Sequence, residues 1–158
     1  VDGEQSNPAR AIYGAILVMA VIIAISHDDS VGTAAILGAV AATTLVFWLA
    51  HVYAEALGNR VSGGQERVFA NVRAAALHEW PLVEAAVLPV MALLLGVIGL
   101  VQRDTAVSIA IGVGVLELFA WGIAAGRRAQ LSLKATIGVG VANGALGLLM
   151  VGLKVLVH

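Results

Sequence analysis

The side chains best suited to chemistry in this sequence are ionisable residues set inside long apolar runs. Thr44, Trp48, His51 and Glu55 fall at i, i+4, i+7 and i+11, a spacing that puts all four on one face of a helix. On that face His51 and Glu55 offer an imidazole and a carboxylate for carrying protons or binding a cation, and an imidazole titrates near neutral pH. The same pair also has a plain structural use. His51 can bond a neighbouring helix, and Glu55 can stretch toward the membrane surface.

Glu84 lies one turn inside a later apolar run, where a carboxylate either answers the helix dipole or shares a site with His51 and Glu55. Glu117 stands between Leu116 and Leu118, eleven positions or so into another such run. A charge at that depth costs about 2.5–3.5 kcal/mol on insertion scales, and its side chain is too short to reach water. It therefore needs a proton, a polar partner such as Asn143, or a hydrated cavity. Asn143 itself reads as either a packing residue or part of the lining of a conduit.

His78 and Glu79 adjoin Trp80-Pro81. Together with His51 and Glu55 they make a donor set suited to a divalent metal such as zinc. Their spacing differs from the Glu-x-x-His pairs of di-iron bundles and from His-Glu-x-x-His. No cofactor is expected apart from such a metal.

The elements that position these residues follow from composition. Of 158 residues, 60% are hydrophobic and 12% charged, with no cysteine, so lipid is the fitting solvent and disulfides are excluded. The expected fold class is an all-α integral membrane protein, a single membrane domain whose partner is the lipid bilayer. Five transmembrane helices are expected over about 10–27, 31–57, 81–101, 106–125 and 133–157. Pro89 is expected to kink the third. Between the second and third, residues 65–79 carry apolar positions at Val68, Phe69, Val72 and Ala76, which predicts a cytoplasmic amphipathic helix lying in the interface.

Arg10, Arg60, Arg67, Arg73, Arg127, Arg128 and Lys134 fall on one side of this arrangement, against Arg103 and Lys154 on the other. The positive-inside rule then places the chain in the cell membrane with a cytoplasmic N-terminus and an outer C-terminus. Glycines crowd the last run, and Gly140 with Gly144 makes a small-xxx-small pair, so a homo-oligomer through helix 133–157 is expected. Phosphate-binding loops, a nucleophile elbow and a carbonyl filter are absent, and nothing supports nucleic-acid binding. The functional expectation is a proton- or cation-conducting channel or transporter using Glu117, His51, Glu55, Glu84 and Asn143. An intramembrane metal-dependent enzyme using His51, Glu55, His78 and Glu79 is the second reading, and a non-catalytic accessory subunit the third.

Overall fold

The computed structural model describes residues 8–61 and 68–157. Among these the chain is helical, with no strand: α1 (Pro8–Ser26), α2 (Thr33–Val61), α3 (Val68–His78), α4 (Trp80–Val97), α5 (Arg103–Arg128) and α6 (Leu133–Val157). Five of the six, all but α3, are long and apolar enough to cross a membrane.

Helix α1 is the centre of the bundle and touches α2, α4, α5 and α6. Its buried residues Ala11, Gly14, Ala15, Val18, Met19, Ile22 and Ser26 recur at three- and four-residue steps, so a single stripe faces the core. Small residues on that stripe let its neighbours come close. A Cβ on Gly14 would sit 2.6 Å from the Leu82 carbonyl oxygen of α4, so only glycine permits this crossing. The core is completed by Ile36 and Val40 of α2, Ala85 and Leu93 of α4, and Val107, Ala110 and Leu118 of α5.

Several helix ends differ from their expected positions, each for a local reason. The apolar run toward Val101 predicts helix throughout, yet α4 stops at Val97. Gly99 adopts φ 76°, Leu100 N–H bonds Leu95 C=O at 3.0 Å and Gly99 N–H bonds Gly96 C=O at 3.2 Å. This paired closure satisfies carbonyls that the helix end leaves free. Helix α5 starts at Arg103 rather than Ala106, because the polar Arg103-Asp104-Thr105 forms its first turn instead of a loop. An acid there and Arg127 and Arg128 in the last turn both suit the helix dipole. Helix α2 continues through Gly58 to Val61. Helix α4 runs on through Pro89, which is buried.

The expected interfacial segment becomes α3, whose described part begins at Val68; residues 65–67 lie outside the described residues. Among its described side chains Ala75 is the buried one, whereas Val72 is exposed. Glu79 alone joins α3 to α4: its N–H still bonds Ala75 C=O at 2.9 Å. Two residues later Pro81 has no N–H to give, and the ladder restarts as a new helix.

Candidate functional site

At the end of the bundle where α1 and α4 begin and α2 ends, four side chains form one polar cluster. Arg10 donates through Nε to Glu79 Oε1 at 2.7 Å, and its Nη1 lies 3.2 Å from His78 Nε2. His78 Nδ1 lies 2.6 Å from Glu55 Oε1, and Arg10 Nη2 is 3.9 Å from Glu55 Oε2. A guanidinium only donates, so His78 Nε2 is the acceptor nitrogen and Nδ1 carries the proton given to Glu55. The cluster therefore runs Glu79, Arg10, His78, Glu55, and it ties α1 to α2 and to the α3–α4 junction. Glu79 is only 4% exposed, and neither its Oε2 nor that of Glu55 has a hydrogen-bond partner.

Of the metal donors expected from sequence, Glu55, His78 and Glu79 thus converge, with one ligand atom of each within 4.8 Å of the others. His51 is not part of that group. Its Nδ1 lies 2.8 Å from Phe47 C=O of its own helix, so that nitrogen carries a proton, and its ring packs 5.5 Å from that of Tyr13 on α1. Between α2 and α4 an apolar groove of about 340 Å³ is lined by Thr44, Trp48, Trp80, Val87 and Met91, among others. Trp48 donates through Nε1 to Ala76 C=O at 3.3 Å, and its ring meets Trp80 edge-on. Trp48, His51 and Glu55, which share one face of α2 by their spacing, thus serve different neighbours.

Glu117 occupies the middle of α5 and is 9% exposed, with Oε2 buried and without a hydrogen-bond partner. Glu84 is exposed in the second turn of α4. The neighbouring turn of α5 toward Arg103 is apolar: a Cβ on Gly114 would meet Met19 Cγ at 2.6 Å.

Asn143 donates through Nδ2 to Val139 C=O of its own helix at 2.9 Å. The same Nδ2 would be 2.9 Å from a Cβ on Gly122, so Asn143 is packed against α5. Gly140 and Gly147 of α6 likewise meet α5 side chains, Ile123 and Val115 among them. Much of the glycine face is used within one chain, while Gly138 and Gly152 meet nothing.

Two residues that the sequence offered only as topology cations organise the two ends. One is Arg10. The other is Arg103, whose five N–H groups find five acceptors: Val31 C=O at 2.7 Å, Ser26 C=O at 3.2 Å, Asp28 C=O at 2.8 Å, Asp29 Oδ1 at 3.3 Å and Asp104 Oδ1 at 2.9 Å. It clasps the α1–α2 turn to the start of α5. In that turn Ser30 bonds the Asp28 carboxylate through its hydroxyl and its N–H, which holds the Asp28 pKa below its ordinary value of 3.8.

Among the described residues the fold is all-helical, with five helices long and apolar enough to span a membrane and carboxylates buried among them. No family model, curated protein or solved structure matches the chain.

Proposed function

We propose that this chain is a multi-pass membrane protein that moves protons or small cations, with Glu117 as the central exchanging group. The reading rests on one observation: Glu117 is buried among apolar helices with a carboxylate oxygen that has no hydrogen-bond partner. A carboxylate in hydrocarbon is hard to keep without a proton or a cation beside it. Such a group is then a natural place to load and release one.

Glu84 is exposed and sits about 6 Å along the axis from Trp80 at the standard helical rise, and in this reading it is the step between Glu117 and the Arg10 end of the bundle. The Glu55–His78–Glu79 cluster forms the mouth at that end. The half toward Arg103 is closed by Met19, Ile22, Val40, Leu93, Val107 and Ile111, which supports a gated transporter over a permanently open channel. By the excess of cations, the Arg10 end is the cytoplasmic one, and the C-terminus lies outside. Self-association, if it accompanies transport, uses the part of α6 that α5 leaves uncovered, around Gly138 and Gly152.

The test is proton uptake by proteoliposomes loaded with a pH-sensitive dye, with a potassium diffusion potential as driving force. Wild-type protein is expected to acidify the lumen, and Glu84→Gln to slow that uptake by about a hundredfold or more, the range found for positioned proton-transfer groups. An accessory subunit would show no uptake in either form.

A further inference from the structure

Glu55, His78 and Glu79 come from the last turns of α2 and from the α3–α4 junction, so their donor atoms meet only in the folded chain. Two features set this group apart from an ordinary surface ion-pair network. The first is the pair of buried, unbonded oxygens, Oε2 of Glu55 and Oε2 of Glu79, the latter on a side chain 4% exposed. A buried acceptor on a charged group is costly to leave unmade. The second is charge balance: among the described residues the two carboxylates answer to one guanidinium, which forms a short bond only to Glu79 Oε1 and stays 3.9 Å from Glu55 Oε2.

We propose that Glu55, His78 and Glu79 form a binding site for a divalent transition metal ion of the zinc class, which takes the place held by the Arg10 guanidinium. One imidazole and two carboxylates supply three protein ligands, and water completes a tetrahedral shell. The imidazole selects against magnesium and calcium, which prefer oxygen-only shells. Binding requires a change of tautomer at His78. Nδ1, which now gives its proton to Glu55, becomes the metal ligand. Nε2, released by Arg10, carries the ring proton instead, so the ring keeps its single proton throughout. The metal then cross-links α2 to the α3–α4 junction and frees α1 from its tie to Glu79. The same cluster is the mouth in the transport reading, but the metal site is argued from its own donors and stands or falls without Glu117.

The test uses cobalt(II) as a spectroscopic stand-in for zinc, added to the chelator-washed full chain in detergent. Wild-type protein is expected to develop visible absorption of low-coordinate cobalt that saturates at one ion per chain. Zinc should remove that absorption, and a large excess of magnesium should not. His78→Ala and Glu79→Gln should each weaken binding by at least about tenfold, the scale of loss seen even for outer-shell changes at metal sites. His51→Gln should leave the spectrum as it is. Arg10→Gln deletes the competitor rather than a ligand and should tighten binding; zinc should also raise its thermal midpoint more than that of wild type. Absence of saturable cobalt absorption in wild type overturns the proposal. So does binding that survives both ligand substitutions, or that weakens in Arg10→Gln.

Discussion

Arg10 donates through Nε to Glu79 Oε1 at 2.7 Å, joining two side chains 69 positions apart where α3 gives way to α4. The bond anchors the central helix to the bundle at its polar end. Arg10→Ala would leave the Glu79 carboxylate buried without a counter-charge. A loss of about 1–3 kcal/mol in stability is expected, since an orphaned buried acceptor costs that much. Thermal unfolding in detergent measures it, and adding Glu79→Gln to Arg10→Ala should recover part of the loss. A double variant that is simply the sum of the two singles would show that the pair is not coupled.

Arg103 performs the corresponding task at the opposite end, and its geometry matters more than its charge. Lysine keeps the charge but has three N–H donors in place of a planar fork of five. Arg103→Lys should therefore cost about 1–3 kcal/mol. Amide exchange should quicken first in residues 27–32, the turn that the guanidinium holds. Exchange in that turn unchanged from wild type would contradict the clasp.

Helix α5 carries an internal control for close packing. A Cβ on Gly122 would lie 2.9 Å from both Gly140 Cα and Val139 O, backbone atoms that cannot move aside, whereas a Cβ on Gly112 meets nothing within 4 Å. Gly122→Ala should destabilise by about 1–3 kcal/mol through overpacking. Gly112→Ala should be neutral or stabilising by about 0.5–1 kcal/mol, because alanine is the better helix former. Equal melting temperatures for the two variants would refute the α5–α6 approach.

Gln130 closes α5 with φ 57°, a left-handed conformation that Gly99 adopts at the end of α4 with φ 76°. Leu131 N–H reaches back to Gly126 C=O at 3.1 Å, the same closure in both places. Gln130→Gly should therefore stabilise by about 0.5–1 kcal/mol, since glycine carries no Cβ to strain. A melting temperature lowered by this substitution would show that the Gln130 side chain contributes something its backbone does not.

The five spanning-length helices were legible because an apolar run of bilayer length has few other uses. Their ends were less so. Arg103-Asp104-Thr105 reads as a turn from polarity alone, yet an acid in a first helical turn is equally polar. The end of α4 depended on a left-handed Gly99 inside what reads as continuous apolar sequence. Glu55, His78 and Glu79 were legible as donors by type, while His51 joined them only in the one-dimensional pattern. Their common partner Arg10 was hidden because nothing in a linear sequence links position 10 to positions 55, 78 and 79. The close-packed glycines on α6 could be read, but their counterparts on α5, Gly122 and Gly126, belong to a pairing of helices that spacing within one helix cannot specify.

Proton flux in proteoliposomes for wild type, Glu117→Gln and Glu117→Asp tests the central claim most directly. Each variant is first shown to have the wild-type helix content and elution volume. The account predicts uptake by wild type, none above background for Glu117→Gln, and partial uptake for Glu117→Asp, which keeps the exchangeable proton on a shorter stem. Undiminished flux through a folded Glu117→Gln protein would contradict it.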